Sequence, residues 1–324
     1  MSAQSGTRLR QKNRLEPDHP ASGPILLTGA SGQLGAALLP GLRRRYGQQV
    51  RGLTRRELDL TQGDRLDACL ERLQPRLILN TAAWTQVDLA ERHPGAVMDI
   101  NRDVPQQLAR WAAAHGAPLI QLSTDYVFDG QARRPYKETD PVRPLSVYGR
   151  SKAQAETLIL AEAAEAYIVR TSWLLSLQAP GFLNAILARA REGQPLRVVA
   201  DRYGTPTPVD WLAAALLHLV ERVLSAPGAA SPGIYHLAGQ GEASWWEVAT
   251  FMLSFLRDHG VSLPFAPDAV QAIAATEYPS EAARPDYSCL DSALFCQTFD
   301  WQPLCWRRGL AQLLSSMLPG PGER

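Results

Sequence analysis

A chain of 324 residues, 45 % of them apolar and formally +1 in net charge, can bury one large core or two ordinary ones. That charge balance argues against nucleic acid or an anionic membrane as partner, and the longest apolar runs, such as LAAALLHLV (212–220), fall well short of the roughly 18 residues a bilayer span needs. Residues 1–22 are polar, lack a secretory apolar segment and read as a disordered extension, while the four cysteines (Cys69, Cys289, Cys296, Cys305) form no CxxC pair and suit a reduced, cytoplasmic setting.

PILLTGA (24–30) is a short apolar run ending in Gly, the pattern of a buried parallel strand. TGASGQLG (28–35) then leads straight into a helical stretch. Gly29, Gly32 and Gly35 permit a tight turn and close approach of a pyrophosphate, and the helix N-terminus at Gln33 and Leu34 offers free N–H groups. Between the first strand and first helix of a βαβ unit, this loop points to a dinucleotide. The second strand, QQVRGLT, ends in Thr54, Arg55 and Arg56, with no acid before Glu57. A carboxylate there would hold the ribose 2′-OH of NAD, whereas arginine accommodates the 2′-phosphate of NADP, so NADPH is favoured and NADH is the alternative. Asp59 and Leu60, in the ELDL run, are candidate adenine neighbours.

DRLDACLERL (64–73) has helical spacing, and RLILNTAAW is the next strand, with Ala83, Trp84 and Thr85 at its end beside the cofactor. Residues 87–115 read as helix with a break near Pro94. APLIQLSTD is a strand that places Ser123 and Thr124 at the sheet's carboxyl edge, where a hydroxyl can bond a carbonyl oxygen. SVYGRSKAQAETLILAEAA is a helix and AYIVRTSW a strand. Strict alternation implies an α/β fold: a Rossmann-type, doubly wound parallel sheet over residues 23–176. Beyond Ser176 the rhythm loosens. Helices are expected at 182–192 and 209–224, a strand at GIYHLAG, and a third helix at Ser244, where Ser-Trp-Trp-Glu makes a capping box. Residues 177–324 are therefore expected to form mainly a smaller substrate-binding lobe over the sheet's carboxyl edge, with some segments returning to the Rossmann domain.

YGRSK (148–152) carries the chemistry. Lys152 is one of only three lysines in an arginine-rich chain, and it lies one helical turn from Tyr148 on the same face. An ammonium beside the phenol would lower the tyrosine pKa toward working pH, letting it donate a proton to a carbonyl oxygen as a hydride reaches the carbon. Lysine also offers donors to the nicotinamide ribose in a geometry that arginine does not share.

TGASGQLG, NTAAWTQVDLAE, LSTDYVFDG, YGRSK, RTSW and DRYGTPT follow one another in the order and spacing of the dTDP-4-dehydrorhamnose reductase family, extended short-chain dehydrogenase/reductases that this chain resembles from about residue 24 to RPDYSCLD near 284. The resemblance implies NAD(P)H-dependent reduction of a 4-keto-6-deoxyhexose carried on dTDP, the last step to dTDP-L-rhamnose. It implies Tyr148 as proton donor, Lys152 as its partner and Thr124 on the carbonyl oxygen, with Asp125 and Trp173 contacting the sugar nucleotide. Asn101 resembles an asparagine that supports the lysine through water. Two departures stand out. Ala36 and Ala37 occupy the region where the family often has a magnesium-binding glutamate at a dimer interface, so no metal is expected and the chain is read as monomer or homodimer. RTSW continues as Leu174-Leu175-Ser176 rather than with tyrosine and glycine, which leaves the exact nucleotide open. The alternatives are an extended-family epimerase or dehydratase, and a non-catalytic subunit like the regulatory partner of methionine adenosyltransferase.

Overall fold

The computed structural model describes residues 23–318, positions 164, 227, 229 and 265 excepted. The segment read as a disordered extension, residues 1–22, lies outside the described residues. Five strands form first: β1 (Ile25–Thr28), β2 (Val50–Leu53), β3 (Leu77–Asn80), β4 (Leu119–Thr124) and β5 (Ala166–Thr171). Helices α1 (Gln33–Tyr46), α2 (Gly63–Leu73), α3 (Val87–Arg92), α4 (Pro94–Met98), α5 (Val104–His115) and α6 (Val147–Glu162) connect them. The C-terminal part adds short strands β6 (Leu174–Leu175), β7 (Arg197–Val199), β8 (Tyr203–Gly204) and β9 (Thr207–Pro208), then β10 (Gly233–His236), β11 (Ala243–Ser244) and β12 (Gln271–Ile273). Its helices are α7 (Phe182–Arg191), α8 (Val209–Ser225), α9 (Trp245–Asp258), α10 (Ala293–Phe299) and α11 (Trp306–Ser315).

The central sheet has the order β10-β5-β4-β3-β1-β2 and every pairing in it is parallel. Its strands are apolar on both faces because both faces are covered. Leu26, Ile78, Leu119 and Ile168 meet Leu66 and Leu70 of α2, Leu108 of α5 and Ile159 of α6. Ile25, Leu27, Leu79 and Val169 face the other way, toward Leu38 of α1 and Leu212 and Leu216 of α8. The GIYHLAG strand thus returns to the sheet as its sixth member, and α8 covers α1. The Ser244 capping box is present, with Ser244 Oγ accepting from Glu247 N and Glu247 accepting from Ser244 N (2.7 Å).

Two elements differ from the pattern reading. The strand expected through Trp84 stops at Asn80, whose Oδ1 accepts from Thr28 Oγ1 (2.5 Å) and from Ala82 N (3.1 Å), while its Nδ2 donates to Gln121 (2.7 Å). A side chain that bonds its own backbone two residues on starts a turn, so Thr81–Thr85 leaves the sheet as a loop. The 87–115 helix breaks at His93 as expected before Pro94, but it also holds a π-helical turn at Asp99–Asp103. The extra residue in that turn brings Asn101 inward, where it is wholly buried.

Candidate active site

The glycine loop is built for close approach. Gly29 adopts φ +68°, and a Cβ there would lie 2.6 Å from Ala82 N; one on Gly35 would lie 2.1 Å from Gly29 O. Helix α1 starts with no side-chain cap, so its first amides face outward toward an anion. This is a fit for a pyrophosphate. A cleft of about 550 Å³ opens beside it. Of the residues expected to bind cofactor, Gly29, Gly32, Thr54, Arg55, Asp59, Leu60, Ala83, Trp84 and Thr85 line that cleft. Gly35 sits in the tight packing beneath the loop. Leu34 is buried in the core, leaving only its amide to offer, and the Gln33 side chain donates instead to Pro180 O (2.8 Å).

The end of β2 bears on cofactor choice. Glu57, the first acid after the strand, turns back on its own loop: its carboxylate accepts from Thr54 N (2.9 Å), Thr54 Oγ1 (3.0 Å) and Arg51 (2.8 Å). The Thr54 bonds, with Arg51 adding to them, hold that carboxyl below the usual range. Arg55 projects at the cleft rim, 86 % exposed, 3.9 Å from Asp59. Asp59 is itself held by Thr61 N (3.1 Å) and Oγ1 (2.8 Å). The acid is occupied and the cation is free to turn, an arrangement that suits a 2′-phosphate.

The candidate reacting edge lies at the carboxyl end of β4. Thr124 and Asp125 are buried there, and Tyr148 stands at the start of α6, whose N-cap Ser146 accepts from Gly149 N (3.1 Å). The Tyr148 ring meets Tyr126 edge-on at 5.8 Å and shares an apolar cluster with Trp84, which joins this edge to the dinucleotide cleft. Asn101 fixes that junction. It accepts from Trp84 N (2.8 Å) and donates to Trp84 O (3.1 Å) and Ser151 Oγ (3.1 Å), and Ser151 donates to Tyr148 O (2.7 Å). The structure thus gives Asn101 direct contacts to the loop and to α6, at the residue next to Lys152.

Two expectations need correction. The phenol of Tyr148 is not pulled down by Lys152. Burial pushes its pKa above the usual value, the Thr124 hydroxyl beside it opposing and the Asp125 and Tyr126 charges adding to the rise. Lys152 Nζ donates to Leu122 O (2.6 Å) instead, and burial pulls its own pKa down to about 8, Glu156 opposing. Ser123 does not join Thr124 at a carbonyl site. Successive strand residues face opposite ways, and its hydroxyl donates to Glu156 (2.5 Å).

Asp125 has its carboxylate occupied by Thr124 Oγ1 (3.0 Å) and Ser288 Oγ (2.6 Å), and burial raises its pKa to about 7. Trp173, at φ +41°, is packed in the C-terminal lobe, stacked coplanar on Trp245 with centroids 3.9 Å apart and set against Gly204. Pattern reading missed the strap at 280–284. Asp88 on α3 accepts from Glu281 N (3.1 Å), Ala282 N (3.0 Å), Ser280 Oγ (3.3 Å) and Arg284 (2.7 Å), and Arg92 pairs with Glu281. The partners are nearly 200 residues apart, so no local spacing could reveal them. Among the described residues no three of His, Cys, Asp and Glu converge as metal ligands, and α1 carries no acid in its first turn.

A six-stranded parallel sheet, a glycine-rich β1–α1 turn under a cleft and a Tyr-x-x-x-Lys helix at the adjoining edge define a Rossmann-type protein of the extended short-chain dehydrogenase/reductase class. A family model described as the RmlD substrate binding domain matches residues 23–318, and the chain belongs to that family. It is 36 % identical over 291 residues to dTDP-4-dehydrorhamnose reductase of Aggregatibacter actinomycetemcomitans, covering 89 % of this chain and 97 % of that protein. The corresponding protein of Streptomyces griseus is 37 % identical over 308 residues, with 92 % and 97 % covered. The crystal structure of dTDP-4-dehydrorhamnose reductase from Bacillus anthracis in complex with NADP superposes with a TM-score of 0.81 at 28 % identity, over 91 % of this chain and 99 % of that one.

Proposed function

We propose that this protein reduces the 4-keto group of dTDP-4-dehydro-6-deoxy-L-mannose, yielding dTDP-L-rhamnose, with NADPH as preferred reductant and NADH as a weaker one. The observation that carries the reading is the meeting of Thr124 and Tyr148 beside Trp84 of the dinucleotide cleft, in a chain so similar to named reductases over nearly its whole length. The cofactor supplies the hydride when bound. The glycine loop and the amides at the start of α1 hold its diphosphate, and Arg55 meets the 2′-phosphate. Lys152 gives its ammonium donors to the ribose. Tyr148 holds a proton at its phenol oxygen, which burial keeps in place at neutral pH, and releases it to the substrate oxygen as charge develops there. The Thr124 hydroxyl, which donates to Asp125 in this structure, turns its one hydrogen to the same oxygen when substrate is bound. Asp125 and the partly exposed Trp173 belong to the sugar-nucleotide side, over which residues 177–324 form most of the binding lobe. No helix among the described residues is long and apolar enough to cross a membrane. All four cysteines are free thiols, which supports a cytoplasmic location.

The test is the fall of NADPH absorbance when the protein is given dTDP-4-keto-6-deoxyglucose together with the 3,5-epimerase that makes the ketose. Oxidation of NADPH dependent on both additions is the expected result. A protein that binds the nucleotide but oxidises neither NADPH nor NADH in that mixture would overturn the reading.

A further inference from the structure

One buried charge cluster sits directly behind the reacting edge. Glu156 lies one helical turn beyond Lys152 on α6 and is only 3 % exposed. Its Oε1 accepts from Ser123 Oγ (2.5 Å) and Arg170 Nε (2.9 Å), and its Oε2 accepts from Arg170 Nη2 (2.6 Å). Arg170, on β5, is 1 % exposed, lies over the Phe128 ring and approaches His236 Nε2 of β10 (3.3 Å). The last two residues of β4 before Thr124 are therefore both gripped by α6: Leu122 O by Lys152 (2.6 Å) and Ser123 Oγ by Glu156.

We infer that Glu156 is a positioning residue for the reduction, holding Thr124 in place through Ser123 and supplying the negative charge that keeps Lys152 an ammonium. The inference rests on the reading of Lys152 and Thr124 given above. The groups around the cluster support it. From α6 come Tyr148 and Lys152, from β4 the Ser123 hydroxyl, from β5 Arg170 and from β10 His236. Glu138, in the loop before α6, accepts from the backbone N–H of His236 (2.8 Å), and Asp140 of the same loop acts on the imidazole ring. Burial, and then Arg170, hold His236 neutral, with a pKa near 3. Arg170 is bonded directly to the Glu156 carboxylate, while Lys152, one helical turn away on α6, feels the same charge without a direct bond to it. Burial already draws the Lys152 pKa down to about 8, and Glu156 is the charge that opposes it. An isolated buried ammonium sheds its proton.

The test is the pH dependence of kcat in the NADPH-loaded enzyme. Glu156→Gln keeps the shape but removes the charge, so the alkaline limb should move down by about one pH unit or more. At pH 8 kcat should fall by about tenfold to a hundredfold, and much of the loss should be recovered at pH 6. Ser123→Ala, which leaves the charge, should lower kcat with the limb unmoved. Should Glu156→Gln fold poorly because Arg170 is left unpaired, the double variant Glu156→Gln with Arg170→Met removes the pair as a unit, and it too should move the limb. A limb that stays in place in a folded Glu156 variant, with Lys152→Met inactive, overturns the inference and leaves the function standing. Wild-type kcat in Lys152→Met overturns the role of Lys152, and the inference with it.

Discussion

In the proposed reaction Tyr148 is the acid, and burial holds its phenol protonated. Replacing it with Phe keeps the ring against Tyr126 but removes the acidic hydrogen. In a chemistry-limited assay kcat should fall about 10²–10⁴-fold, or about 3 to 5 kcal/mol of transition-state stabilisation, while NADPH affinity measured by cofactor fluorescence hardly changes. A variant that keeps more than about a tenth of kcat needs another donor. Arg55→Ala should narrow the difference in KM between NADPH and NADH. Equal KM values in the unmutated protein would contradict the role given to the β2 terminus. Asp125 makes a pH prediction of its own. Its folded pKa of about 7 lies above the ordinary carboxylate value, so between about pH 4 and 7 the native state keeps a proton that the unfolded chain loses. Stability should therefore decline as pH rises through that window, by at most about 4 kcal/mol, and the Tm of Asp125→Asn should not follow it. The Tyr148–Lys152 spacing was legible because helical geometry is local. Their electrostatics were not, because burial dominates them and because Leu122 beside Lys152 and Thr124 and Asp125 beside Tyr148 are brought there by strand and helix packing.

Among the elements, those with a strong period read clearly: the apolar strands emerge in the right places though read too long, and α6, α8 and the capped start of α9 emerge within a residue or two. The failures come where a side chain overrides the pattern. Asn80 ends β3 early, and the π turn after Met98 is a packing solution that carries Asn101 to Trp84. The strap from Ser280 to Arg284 is the element most exposed to test. Asp88→Asn should weaken its hold on Arg284 and the strap amides, costing about 1 to 2 kcal/mol after allowance for solvent exposure. A glutamate-specific protease should then cut faster after Glu277 and Glu281, and KM for the sugar nucleotide should rise more than kcat falls. Unchanged cleavage would mean that Arg92 and Glu281 suffice to hold the strap.

For the whole molecule, the doubly wound topology and a C-terminal lobe over the sheet edge were expected from the sequence, whereas the contacts that close that lobe on the sheet were not. That closure is made by single residues far apart in the chain, such as Ser288 on Asp125 and the paired backbones of Tyr203 with Tyr287 and Tyr136 with Leu290. Assembly gives the last prediction. Ala36 is exposed and Ala37 half-buried on α1, with no acid in that turn, so activity and apparent mass should be indifferent to EDTA. A mass that halves on chelation would show a metal held elsewhere.

The bond between Ser288 and Asp125 also sets a clock on synthesis. The two residues are 163 positions apart, so at roughly 5–20 residues per second Ser288 is made about 8 to 30 s after Asp125. In the later part of that interval, once Thr171 has been made, β1 to β5 and Tyr148 are all present while the Ser288 partner of the buried carboxylate is still to come. Until Ser288 is made, Asp125 lacks the hydroxyl that holds it, so the edge beside Thr124 is completed late in synthesis.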